Sequence, residues 1–159
     1  MIAIRPDDLR DPAVLALLRL HLEDAHRNSP PGHSFAFNAE RLRGADVGLW
    51  TAWEGATLLG CAALKALDPA HGEVKSMRTA PGHLRCGVAA ALLDHLVAVA
   101  RARGYRRLSL ETGSGPSYEA ALALYRGRGF VSGPAFGDYV GSAFNQFMHL
   151  DLDPCPASS

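Results

Sequence analysis

The stretch from Glu73 to Arg103 constrains this chain more than any other. It opens with a short β pattern over Glu73–Thr79, passes through a turn holding Pro81, Gly82 and Gly87, and continues as a long amphipathic run. After the turn, apolar side chains fall at Val88, Leu92, Leu96 and Val99, the spacing of a helix with one buried stripe. Gly104 marks the stop, and Arg101 and Arg103 stand where cations suit the negative end of the helix dipole. At the helix entrance, Gly87 and Ala89 carry no side chain or a minimal one, so an anion can approach backbone N–H groups that lack an intrahelical acceptor. Strand, tight turn and open helix N-terminus together form a cradle for a pyrophosphate.

The remainder reads as strands and helices around this unit. Ile2 and Ile4 suggest a first strand, and Asp11-Pro12 reads as an N-cap with proline at the first helical position, followed by a stripe of Val14, Leu17, Leu18 and Leu22 to about His26. A polar loop over 28–32 leads to His33, Phe35 and Phe37, aromatic enough to line a pocket, and a short helix over Asn38–Arg43 starts at an Asn cap. Strands are expected at Val47–Glu54 and Thr57–Leu67, joined by a turn at Gly55; the second is apolar enough to be buried on both faces. After Gly104 come a strand over Arg107–Thr112, a helix capped by Ser117 and ending at Gly127 or Gly129, a strand from Phe130, a Gly-rich loop over 133–141 and a last strand over Asn145–Leu152. The order is β-α-α-β-β-β-α-β-α-β-β, a mixed α/β (α+β) class with helices flanking a mixed central sheet.

Length and composition bound the rest. With 159 residues, 48% of them hydrophobic, the chain fits one domain over 1–152 with a flexible tail over 153–159. Sixteen basic residues balance sixteen acidic ones, so no global charge favours nucleic acid or a membrane surface. Cys61, Cys86 and Cys155 are odd in number and scattered, unlike a zinc site or a disulfide scaffold. No run reaches about 18 apolar residues and no basic-then-apolar leader opens the chain, so a cytoplasmic protein is expected. The histidines show no metal-ligand spacing, no metal is expected, and apart from His71 they read mostly as surface residues.

The order Glu73-apolar-x-x-Met77-x-Thr79-x-Pro81, followed by a turn and Gly87-Val88-Ala89, resembles the acetyl-CoA-binding motif of the GNAT N-acetyltransferases. The family's turn is Arg/Gln-x-x-Gly-x-Gly/Ala; here Leu84 takes the first place and Arg85 the next, where Gly is common. A second signature, Ala121-x-x-Leu124-Tyr125-x-x-x-Gly129-Phe130, also matches, with Tyr118 where the family carries Asn. Two motifs at the right separation are more specific than either alone. The resemblance spans about Ile2 to Leu152 and implies the GNAT acyl-CoA N-acyltransferase fold, with acetyl-CoA as cosubstrate and a primary amine of a small molecule or peptide as acceptor.

Acetyl transfer to an amine needs a polarised thioester, a neutral amine and a proton donor for the departing thiolate. By resemblance, Glu73 stands at the general-base position, acting directly or through water, and Tyr125 at that of the general acid. The resemblance also assigns cofactor contacts to Met77, Arg78 and Thr79 on the strand, to Leu84, Arg85, Cys86, Gly87, Val88 and Ala89 in the turn, and to Tyr118 on the pantetheine arm. Without it, Glu73 reads as a solvated strand-end carboxylate, Lys75 as an exposed strand-end cation and Tyr125 as a core tyrosine. Simple alternation puts Glu73, Lys75 and Met77 on one face and Val74, Ser76 and Arg78 on the other. Aromatic residues over 33–37 and at Phe136 and Tyr139, with Arg78 to receive a carboxylate, suggest an amino-acid-like acceptor, and His71 is an auxiliary base to test. Exposed strand edges would permit a homodimer. The alternatives are a non-catalytic acyl-CoA sensor and a binder of another diphosphate; the second lacks the Gly-x-x-x-x-Gly-Lys-Ser/Thr loop.

Overall fold

Asp11 caps the first helix as expected, its Oδ1 accepting from the Ala13 amide at 2.9 Å, and Asn38 caps the second through the Arg41 amide at 2.9 Å. The computed structural model describes residues 1–32 and 38–152, so the expected pocket loop with His33, Phe35 and Phe37, and the expected tail, lie outside the described residues. The elements are β1 (Ala3–Pro6), α1 (Pro12–Arg27), α2 (Ala39–Leu42), β2 (Val47–Glu54), β3 (Thr57–Asp68), β4 (His71–Thr79), α3 (Val88–Ala102), β5 (Arg107–Thr112), α4 (Glu119–Gly127), β6 (Val131–Ser132) and β7 (Gln146–Asp151). A 3-10 turn over Pro116–Tyr118 precedes α4, so Tyr118 rather than Ser117 takes the N-cap place, and Ser117 Oγ lies 3.3 Å from Asn28 Oδ1 instead.

These strands make one seven-stranded sheet in the order β1-β2-β3-β4-β5-β7-β6. Every neighbouring pair is antiparallel except β4 and β5. A parallel pair needs a crossover, and the run from β4 through α3 to β5 supplies it. This is the mixed sheet with flanking helices that the element order implied.

Each face of the sheet has its own core. On one, α3 and α4 press Val88, Leu92, Leu93, Leu96, Leu122 and Tyr125 against Leu64, Val74, Leu108, Leu110 and Met148. On the other, Val14, Leu17 and Leu18 of α1 and Leu42 of α2 cover Leu49, Trp53, Cys61 and Ala63. The helices of this second face stop short of β5 and β7. There the loop between β6 and β7 lies over the sheet, with Phe136 packed on His71, His149 and Phe147.

Candidate active site

Two interruptions in β4 shape the site. The first is a bulge: Cys61 pairs with Arg78 and Ala63 with Lys75, so two steps on β3 face three on β4. Ser76 sits inside it with φ +52°, a left-handed conformation unusual for a residue with a side chain. The bulge resets the alternation. Lys75 shares a face with Ala63 and Arg78 with Cys61, so Glu73, Lys75 and Arg78 all lie on the α1 face, while Met77 packs into the α3 core. Simple alternation, which separated Arg78 from Glu73, fails at this one residue.

The second interruption is the parting of β4 from β5. Their register runs His71↔Arg107, Gly72↔Leu108, Glu73↔Ser109 and ends there. Residues 74–79 of β4 and 110–112 of β5 diverge into a wedge. The turn beyond β4 leads from the wedge to the N-terminus of α3, where Gly87 has φ +79° and no side chain caps the first amides. Arg85, which stands where the family motif has Gly, adopts φ +63°, the conformation glycine would supply. Leu84, Arg85, Cys86 and Gly87 are exposed, and Val88 alone of the turn group turns inward.

At the base of the wedge, Glu73 is neither solvated nor at a strand end, being only 2% exposed. Its Oε2 accepts from the Tyr139 hydroxyl at 2.6 Å and from Lys75 Nζ at 3.3 Å, and Lys75 also donates to the Tyr139 oxygen at 2.9 Å. Lys75 is likewise buried rather than exposed. Burial outweighs Glu73 and holds the Lys75 ammonium below its ordinary value, and burial together with the Glu73 charge raises the Tyr139 phenol. Glu111, on β5 two residues past the last pair with β4, faces the same group. Burial pushes its carboxyl up to about 7, Lys75 pulling the other way and Glu73 adding to the rise. Two carboxylates thus share one lysine.

Tyr125 stands on the opposite face, 6% exposed, with its ring 5.8 Å from Phe130. Among the described residues its hydroxyl makes no hydrogen bond, and burial pushes it up to about 12, so the phenol stays protonated. Tyr118 has protein partners: its hydroxyl is 3.1 Å from Ser29 Oγ and its ring meets Phe144 edge-on at 5.7 Å. Arg78 donates to Asp24 Oδ2 at 2.6 Å, and Asp24 also binds Arg27 at 2.9 Å, so the guanidinium expected to receive an acceptor carboxylate is already paired with a carboxylate of α1. His21, beside this pair, is lowered to about 4 by burial and by Arg78. His71 is hydrogen-bonded to Ser109 at 2.6 Å and lowered by burial, while His149 is buried outright. Among the described histidines His26 is exposed, His21, His71, His83 and His95 are partly exposed, and His149, expected at the surface with most of the others, is buried.

Sequence reasoning singled out Glu73 and Tyr125 but gave Glu111 and Asp24 no chemical role. Glu111 was legible only as one of the polar positions alternating with Leu108 and Leu110, and Tyr139 only as an aromatic in a glycine-rich loop.

Comparison with known proteins agrees with this fold. A model for the acetyltransferase (GNAT) family matches residues 14–130. An uncharacterized N-acetyltransferase of Bacillus subtilis (strain 168), YsnE, is 48% identical over 94% of this chain and 99% of its own length. Its Escherichia coli (strain K12) counterpart among uncharacterized N-acetyltransferases, YedL, is 45% identical over 96% of each. Among solved structures, a GNAT family acetyltransferase from Elizabethkingia anophelis with acetyl-CoA bound superposes with a TM-score of 0.69, covering 95% of this chain and 98% of that one at 20% identity.

Proposed function

The chain belongs to the acetyltransferase (GNAT) family, and from that premise we propose that it moves an acetyl group from acetyl-CoA to a primary amine of a small molecule or peptide, by direct attack within a ternary complex. The observation that carries this reading is the wedge where β4 leaves β5, with an uncapped α3 N-terminus beyond the end of β4.

In this reading the amides of Gly87, Val88 and Ala89, with the turn at Leu84, Arg85 and Cys86, hold the diphosphate of acetyl-CoA. Backbone groups of Met77, Arg78 and Thr79 pair with the pantetheine arm as a further strand would, and Tyr118 borders it. The amine nitrogen attacks the thioester carbon, the carbon–sulfur bond breaks, and the thiolate takes its proton from Tyr125. The ammonium proton passes to the carboxylate pair. Glu73 lies under Tyr139 and Lys75 and acts through a bridging group, while Glu111, partly exposed in the wedge, meets the amine more directly. Small size, balanced charge and the lack, among the described residues, of a helix long and apolar enough to cross a membrane are in keeping with a cytoplasmic setting; a homodimer through the sheet edges belongs to the same proposal.

Titration calorimetry with acetyl-CoA and a free-thiol assay over primary amines with and without a carboxylate test the reading. Saturable binding and amine-dependent thiol release are expected. Folded protein that takes up no acetyl-CoA at millimolar concentration overturns it.

A further inference from the structure

Four polar groups cross the α1 face of the sheet in single file. His71 Nε2 lies 2.6 Å from Ser109 Oγ, Ser109 Oγ 2.7 Å from His149 Nδ1, and His149 Nε2 2.8 Å from the carbonyl oxygen of Pro134. A carbonyl only accepts, so His149 carries a proton on Nε2. In the neutral ring Nδ1 then accepts, Ser109 donates to it, and the Ser109 oxygen is left to accept from Nε2–H of His71. The carbonyl at the end of the row thereby sets each proton in it.

That carbonyl belongs to the loop between β6 and β7, which also supplies the third member of the buried group. Tyr139, five positions after Pro134, places its hydroxyl 2.6 Å from Glu73. Between them Phe136 packs against His71 at 5.9 Å, His149 at 5.7 Å and Tyr139 at 5.1 Å. Gly133 lies flat on the His149 ring, where an added Cβ would fall 2.6 Å from Cδ2. The loop is seated on the imidazole and anchored by it.

Resting on the acetyl-transfer reading of this site, we propose that His149, oriented by Ser109 and His71, is a positioning residue for the acceptor side: by holding the Pro134 carbonyl it keeps the Tyr139 hydroxyl on Glu73 and Lys75. The imidazole does not touch the reacting atoms. It decides where the partly buried phenol stands, and so how the Glu73 carboxylate is presented to the amine.

Nitrogen-15 spectra of the imidazoles of the free protein test the proton placement without any substrate. The Nε2–H tautomer is expected for His149, and a neutral ring protonated on Nδ1 overturns the proposal. Kinetics test the consequence, with acetyl-CoA and whichever panel amine turns over fastest. His149→Phe should lower kcat/KM for the amine about tenfold, the size of one lost hydrogen bond, leave KM for acetyl-CoA within about twofold, and be partly rescued by His149→Gln, whose amide still donates. In a Tyr139→Phe background the same change should cost less than about twofold, because the coupling is already gone. Full additivity, or an acetyl-CoA KM that moves as much as the amine term, overturns it. Should His149→Phe not fold, Ser109→Ala enters the same cycle. Wild-type protein silent across the whole panel counts against the acetyl-transfer reading, while the tautomer spectrum still decides the proton placement.

Discussion

Tyr125 and Glu111 carry the sharpest residue-level expectations. Replacing Tyr125 with Phe removes a proton donor and little volume, so turnover in the thiol-release assay should fall by about a hundredfold or more. Its acetyl-CoA affinity by calorimetry should stay within about twofold of wild type. Glu111 stands at about 7 in the folded chain against an ordinary 4.5. A carboxyl raised on folding favours the native state while protonated, so its contribution is whole below the ordinary value and is lost as pH rises through about 7. Glu111→Gln should therefore gain on wild type in denaturant midpoint as pH goes from about 5 to about 8, and kcat/KM should lose an ascending limb centred near 7. A limb unchanged in the variant would remove Glu111 from proton transfer. Tyr125 was legible in the chain because it sits inside a compact motif with Leu124 and Gly129. The partner of Glu73 was not, because Tyr139 lies 66 residues away in a loop with no periodicity to read.

At the scale of elements, the turn into α3 and the bulge in β4 differ in how openly the sequence declares them. Gly82 and Gly87 announce a turn, and both take positive φ. Arg85 looked like a departure from a glycine position, yet its φ of +63° keeps the backbone path that glycine would take, at a steric cost of about 1–2 kcal/mol. Arg85→Gly should accordingly raise stability by roughly 0.5 kcal/mol once chain entropy is counted, while Gly87→Ala should lower it by about 1 kcal/mol. No atom lies within 4 Å of the added Cβ at Gly87, so that loss would be purely conformational. Thermal melts measure both changes; calorimetry of the Arg85 variant separately reports any contact of its guanidinium with phosphate. The bulge at Ser76 gives no such warning. No glycine or proline marks it, and the strand around it alternates plausibly until the register with β3 shows that Arg78 has changed face.

The whole molecule rests on one sheet with a core on each side, so damage to either is expected to be felt throughout. Leu92 is fully buried between α3 and the sheet, and Leu92→Ala should cost about 2–5 kcal/mol, read as a lower denaturant midpoint with one transition by fluorescence and circular dichroism alike. Two separated transitions would mean that the faces melt independently. The succession of strands and helices along the chain was readable because caps, glycines and apolar stripes are local signals; the meeting of α1, β4 and the β6–β7 loop depends on contacts distant in the chain. The early divergence of β4 and β5 has a last implication. A gap lined by main-chain atoms recognises the shape of a thread and is indifferent to what the thread carries at its tip. Spent coenzyme A, with its diphosphate and arm intact, should therefore fit there nearly as well as the loaded form, slow the forward reaction by competition, and make the rate of its departure a ceiling on the cycle.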